Sequence, residues 1–554
     1  MTGPLWPVAA RIMARLAGPM SVAMAAAMVA AVTPARAQER VLDDFDDLSR
    51  WSVSATDDVR ATLRSADDGR ADPSGRGKAM CVDFDFGRVT GYVSVRRELP
   101  IDFPPRYEFT LRVRGESAPN ALQFKLVDDS GENVWWAQRP EYRFPRDWQT
   151  IKLRQRQIGY AWGPTSDRTL RHTASVEFVI ASGSGAGRGS ACFDRLAFTR
   201  LADTPSADEP REFGALRLRW PPGRGAANYD VQFSDDGQRW RTVRRVDDGR
   251  GDVQYLWLPD SEARAVRVLA DTEPSIDLLD APDANAYAML VARDAPRGRY
   301  PRAYVGEQSY WTVFGVDGAR MASLISEDGV VEPLPGIGAL EPFIVDGERM
   351  LGWADATSVT HTLRDGDLPM PAVHWRLGDA LALDVTAYGH GAPDTAQALA
   401  RYRVRNLGAT SRRVTLALAW RPFQANPPTQ FLAHPGGVSP IEALAWNGGV
   451  LSVDGIARLR PLRTPDEVRI ERDAAGWRSA SLRYALTLAP GEARDVIVAM
   501  PVGDAASPLP ASFDADADEA RVAARWRERL DRVRIEGPGE VADLARTLRS
   551  ALGH

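Results

Sequence analysis

Five aromatic side chains fall close together in this sequence: Trp135, Trp136, Tyr142, Tyr160 and Trp162. Flat rings stack on the apolar C–H faces of sugars, and the neighbouring Asn133, Gln138 and Arg139 offer hydrogen-bond partners for hydroxyls. Edge packing between sheets is the competing use of such rings. Adjacent strand residues face opposite ways, so only one of Trp135 and Trp136 can point inward. The five are the candidate carbohydrate contacts, and the partner they imply is a glycan or polysaccharide.

Catalytic chemistry is harder to place. Glycoside hydrolysis needs two carboxyl groups, about 5–5.5 Å apart for retention or about 6.5–9.5 Å for inversion. Glu307, Glu327, Asp328, Glu341, Asp355, Asp365 and Asp367 qualify by residue type alone. Most lie next to Gly or Pro, where turn duty accounts for them, so no catalytic pair is assigned. His172, His361, His374, His390, His434 and His554 show neither HExxH nor HxH spacing, which speaks against zinc. A sugar-isomerising site could use a His and a Glu near His361 and His374, which flank the Leu368–Pro371 loop; structural histidines are the default there. The Gly-rich run 182–189 lacks a following helix and reads as a turn, not a phosphate cradle.

The elements that must position these residues are mostly strands. At 554 residues the chain is too long for one core, and its 44% hydrophobic content is ordinary for globular protein. A net charge of −5 with interleaved signs gives no electrostatic footprint for nucleic acid. Lysine occurs only at 78, 125 and 152. Residues 1–37 read as a signal peptide: Arg11 and Arg15, an apolar stretch from Leu16 to Val32, then Ala35-Arg36-Ala37. A membrane anchor is the alternative, but Gly18 and Pro19 interrupt the stretch and no other segment could span a bilayer. The expected destination is the periplasm or outside the cell. Cys81 and Cys192 could form a disulfide there, or be two separately buried thiols; spacing alone does not decide.

Alternating runs such as Tyr107–Arg114, Leu122–Leu126 and Val176–Ile180 predict a two-sheet sandwich over 41–201. A polar linker precedes a small β module at 212–275, built around Tyr229–Trp240. A larger strand-rich unit spans 276–505. Two amphipathic helices follow within 515–554: Val522, Trp526, Leu530 and Val533 share one stripe, and Val541, Leu544, Ala545, Leu548 and Leu552 another. Either these helices fold back on the strands, or they open a helical domain whose chemistry lies beyond His554.

Three resemblances follow from particular residues. The Asp43-Asp44-Phe45 opening with Trp51, and the closing Cys192-Phe193-Asp194, resemble galactose-binding-like jelly rolls used as carbohydrate-binding modules. Such modules often hold a structural calcium ion, and the resemblance carries that role to Asp43, Asp44 and Asp194. Tyr229–Trp240 with Thr242-Val243 and Arg264–Val268 resembles a reduced coagulation factor 5/8 type C (discoidin) module, without its bracketing cysteines. Gly306–Trp311, Glu327-Asp-Gly329, Glu341-Pro-Phe343 and Arg421–Thr429 resemble the β-supersandwich that precedes an (α/α)6 barrel in glycoside hydrolases and phosphorylases. Together they imply a mainly β chain: jelly-roll β-sandwich, small discoidin-like module, large antiparallel supersandwich, then two C-terminal α-helices. The implied function is the carbohydrate-binding and scaffolding part of an exported carbohydrate-active protein. A stand-alone extracellular binding or adhesion protein, and a mutarotase-like enzyme using the sandwich, are the alternatives.

Overall fold

The computed structural model describes residues 38–554 except 68–76, 88, 184–186, 203–209, 431, 433–434, 474, 504–505, 511 and 535–537. The predicted signal peptide, His434 and parts of the 182–189 turn and of the 201–211 linker therefore lie outside the described residues.

The chain is mainly β, in antiparallel sheets. Its first sandwich packs two six-stranded sheets face to face. The strand Tyr107–Glu116 shows why: Tyr107, Phe109, Leu111 and Val113 alternate into the core while their neighbours stay half-exposed. Phe45, Phe109, Phe124, Phe178 and Phe193 fill the space between the sheets. Cys81 and Cys192 sit opposite each other on adjacent antiparallel strands, their Cα atoms 4.0 Å apart, and form a disulfide. That link joins residues 111 positions apart and restricts the unfolded chain accordingly.

Strands from Arg211–Arg219 to Ser275–Leu279 form two three-stranded sheets with their own small core, including Phe213, Leu218, Val231 and Leu256. Next comes a helix absent from the sequence expectation, α1 (Ala284–Asp294), capped by the Asp283 side chain on Ala286 N. Two eight-stranded sheets then enclose the largest core, where Trp375, Trp420, Tyr402 and Tyr484 are almost completely buried.

The two closing helices part company. In α2 (Ala515–Leu530), Val522, Ala523 and Leu530 are buried against Leu368, Met370, Tyr388, Leu399 and Ala499 of the large sandwich. Of the two alternatives, folding back on the strands thus holds for α2, whose stripe fits an apolar patch of the large sandwich. α3 (Gly539–Gly553) is anchored by Arg549, which bonds Asp367 at 2.6 Å and Asp531 at 2.6 Å. It leaves Leu544, Leu548 and Leu552 exposed.

Two joints hold the three β units together. Between the first sandwich and the small module, Arg139, Lys152 and Arg156 face Asp260, Glu262, Glu212 and Asp280. Lys152 Nζ lies 2.7 Å from Glu262 and Arg139 lies 2.8 Å from Asp260. The almost fully buried Arg154 sits amid Glu108, Glu212, Asp260 and Glu262. A cleft of about 710 Å³ remains there, with Trp257 on its wall. Between the small module and the large sandwich the contact is mainly aromatic, with one exposed ion pair, Arg250–Glu471 at 3.1 Å, beside it. Trp257 and Trp477 centroids lie 5.3 Å apart, Tyr287 and Trp477 5.6 Å, and Tyr304 and Phe423 5.0 Å. Helix α1 supplies Tyr287, Ala288 and Ala292 to this layer.

Candidate functional site

The five aromatic residues occupy one end of a six-stranded sheet of the first sandwich, ordered Gly159–Trp162, Val134–Tyr142, Asn120–Val127, His172–Ala181, Tyr92–Asp102, Ser52–Ala55. The pleat divides them. Trp135 turns into the core, is 5% exposed, packs edge-on against Tyr160 and donates Nε1–H to Arg168 O at 2.8 Å. Tyr160 lies against the same core and donates its hydroxyl to Gly163 O. Tyr142 packs edge-on with Phe144, also against the core. Trp135 is thus part of the core, with the partly buried Tyr142 and Tyr160 packed against it: strand parity sends Trp135 inward and carries Tyr160, its register partner, to the same side.

Trp136 and Trp162 face the other way. Their rings meet edge to face, with centroids 5.3 Å apart and planes at 86°, and Trp162 is 45% exposed. Lys125, opposite Trp136 in register, extends its ammonium to 5.0 Å from the Trp162 ring and 5.9 Å from the Trp136 ring. The ring of Tyr92, from across the sheet, lies 5.9 Å from the same ammonium. Burial holds the Lys125 pKa below the ordinary lysine range, against the pull of Glu177 on the next strand. Between these walls the outward residues Ser94, Gln123 and Val179 are buried. The face thus offers two exposed ring surfaces, a central ammonium and, beyond it, the Arg96–Glu177 pair at 3.4 Å. Rings that stack and charged groups that bond hydroxyls are what sugar recognition requires.

The expected polar rim is largely elsewhere. Asn133 is buried, bonding Asp128 at 2.7 Å and accepting from Thr165 N at 2.9 Å. Arg139 belongs to the ionic joint. Lys125 and Tyr92 take the rim's place; the alternation of Leu122, Phe124 and Leu126 puts Lys125 on the outer face, but the sequence does not show which strands are neighbours.

The three aspartates to which the resemblance carries a calcium role have partners within the chain. Asp43 accepts from Trp51 Nε1 and from Phe45 N, both at 2.8 Å, and is paired with Arg97. Asp194 is paired with Arg112, and Asp44 accepts from Asp46 N at 3.4 Å. Among the described residues no group of three or more His, Cys, Asp or Glu could hold a metal ion.

Carboxylates singled out by type have structural partners: Glu307 with Arg297, Asp328 with Arg302, Glu341 with Arg421, Asp365 with Arg527 and Asp367 with Arg549. Glu327 Oε1 accepts from Tyr310 N at 3.0 Å, and Asp355 from Gly352 N at 2.9 Å. His374 bonds Asp384 at 2.8 Å and His390 bonds Asp518 at 2.9 Å. Glu332 was not singled out. It is buried with no cationic partner among the described residues, accepts from Asn426 N, and burial lifts its pKa to about 7. No helix among the described residues is long and apolar enough to cross a membrane.

No family model matches this chain, and no curated protein matches it. Solved structures give partial likenesses, carbohydrate-binding modules and glycoside hydrolases among them. The family 11 carbohydrate-binding module of a cellulosomal cellulase of Clostridium thermocellum is 16% identical, covering 29% of this chain and 95% of its own, with TM-score 0.24. A Caldicellulosiruptor saccharolyticus module, CBM27-1 in complex with mannohexaose, is 13% identical over 29% of this chain and 96% of its own, with TM-score 0.20. An exo-β-agarase is 11% identical over 30% of this chain and 26% of its own, with TM-score 0.22. Scores this low decide nothing about this chain, whose own residues must carry its function.

Proposed function

We propose that this protein binds a glycan on the outer face of its first sandwich, through Trp136 and Trp162, as part of an exported carbohydrate-active protein. The outward Trp136–Trp162 pair, arranged around the Lys125 ammonium, is the observation that carries this reading. A pyranose ring stacks on the exposed Trp162 surface, and Lys125 donates hydrogen bonds to its hydroxyls. The signal-like segment 1–37 supports export to the periplasm or beyond. The bare leucine stripe of α3 supports a scaffolding role towards a further helical, glycosidase-type domain, since a partner helix would cover it.

A glycan array probed with the chain, followed by titration of the best polysaccharide, tests the reading. Trp136→Ala and Trp162→Ala each weaken binding by about tenfold or more, in line with the loss of one ring contact and its buried area. Equal binding by wild type and both variants, or no binding to any glycan, overturns it.

A further inference from the structure

A second cavity, of about 370 Å³, opens far along the chain on the large sandwich. Its walls come from Tyr310, Trp311, Glu327, His361, Thr362 and Pro371 among others. Tyr310 is 64% exposed, more than any other large apolar or aromatic side chain among the described residues. An aromatic ring left so open gains nothing from the core beneath it. Trp311, beside it, is held in place by Nε1 donating to Gln430 at 2.9 Å.

The polar groups in this cleft are oriented. Glu327 accepts from Tyr310 N through Oε1 and lies 3.5 Å from Arg302 through the same oxygen. Its Oε2 takes no hydrogen bond from the described residues, and Arg302 supplies a counter-charge. His361 places Nε2 2.8 Å from the carbonyl oxygen of Glu327, so that nitrogen carries the proton and donates. In the neutral ring Nδ1 is then a lone-pair acceptor. Next to His361 on the same strand, Thr362 has its hydroxyl tied to His374 at 2.9 Å, which steadies the strand that carries His361. An open ring with two fixed acceptors beside it matches a ligand that has one apolar face and several hydroxyl donors on its edge.

We propose that this cleft is a second carbohydrate site that takes a single pyranose residue. The sugar stacks on Tyr310 and donates hydroxyls to Glu327 Oε2 and His361 Nδ1. A cavity of this size is at the small end of ligand sites and suits one ring, not a long chain. The site is separate from the Trp136–Trp162 face, and its fate does not depend on that face binding glycan.

The test titrates the whole chain with the methyl glycosides of glucose, galactose, mannose and xylose, read by saturation-transfer NMR and calorimetry. At least one binds, Tyr310→Ala and Glu327→Gln weaken it about tenfold or more, and Tyr310→Phe retains it because the stacking face is kept. Trp136→Ala leaves this binding unchanged. Unaltered thermal unfolding of the variants shows that the fold is intact. Absence of binding by all four glycosides, binding that survives Tyr310→Ala, or binding lost only in Trp136→Ala each overturns the proposal. Choline is the control for a cation-seeking aromatic cage, and binding of choline in place of every glycoside also overturns it.

Discussion

The first sandwich meets the small module through charge, whereas the small module meets the large sandwich through rings. At the ionic joint Lys152, Arg139, Arg154 and Arg156 all come from the first sandwich, and Glu212, Asp260, Glu262 and Asp280 all come from the module. Segregated charge selects the partner and its register, but partly exposed pairs contribute little each and are screened by salt. At the aromatic joint Trp257, Tyr287, Tyr304, Phe423 and Trp477 form a continuous layer whose ring contacts do not rest on charge. The small module is therefore built into the large sandwich, and the first sandwich, which carries the Trp136–Trp162 face, rides on an ionic seat with a cleft beneath it.

Removing a ring from the aromatic layer gives the largest expected effect. Trp477→Ala costs about 3–5 kcal/mol, seen as a lowered unfolding temperature that does not change with salt. A smaller loss would mean that the layer is less tightly packed than its ring geometry implies.

Acid acts on Glu332 of the large sandwich and on Glu262 of the ionic joint in opposite directions. Glu332 has its folded pKa raised to about 7, so its contribution is fully present below its ordinary value of 4.5 and is lost as pH rises through about 7. A shift of that size corresponds to about 3 kcal/mol, and Glu332→Gln flattens this part of the stability curve. Burial works against the charge on Glu262, but Lys152 and Arg154 outweigh it and lower its pKa. Its contribution is present above the ordinary carboxylate range and disappears as pH falls through the lowered value. Unfolding followed from about pH 8 down to about pH 3 with one probe in each sandwich should show stabilisation of the large sandwich below about pH 7 and, only below the ordinary carboxylate value, loosening of the ionic joint. Parallel behaviour of the two probes would contradict the contrast.

The smallest effect concerns the seat itself. Raising salt from about 0.1 M to about 1 M shortens the screening length from about 10 Å to about 3 Å. Small-angle scattering should then show a wider distribution of positions for the first sandwich, with each sandwich keeping its own unfolding temperature. Glu262→Gln should produce part of the same change at low salt. A distribution unmoved by salt would mean that the joint is held by something other than charge.

These contrasts were unevenly legible in the sequence. Period-two alternation in Tyr107–Arg114 and Val176–Ile180 exposed the first sandwich, because a half-buried strand writes its burial into every second residue. The same rule showed that Trp135 and Trp136 must part, but choosing between them needs the core's side of the strand. Helix α1 escaped notice because its buried positions are Tyr287, Ala288 and Ala292, and alanine gives a faint apolar stripe. α2 and α3 carry similar patterns with different outcomes, since a stripe records that a face wants cover and not what covers it. The arginine partners of Asp43 and Asp194 were invisible for a related reason: Arg97 and Arg112 lie 54 and 82 residues away in sequence.

Lys125 has one practical consequence. Apart from a terminal amine, the primary amines of this chain are those of Lys78, Lys125 and Lys152. Lys152 is bound to Glu262, Lys78 is exposed on the other sheet of the first sandwich, and Lys125 lies inside the tryptophan face with its pKa lowered by burial. Amine-directed immobilisation or dye labelling has few amines to choose from, and any that takes Lys125 modifies the middle of the tryptophan face. A biosensor prepared that way would blind the surface it was built to measure, and coupling through an added terminal tag avoids this.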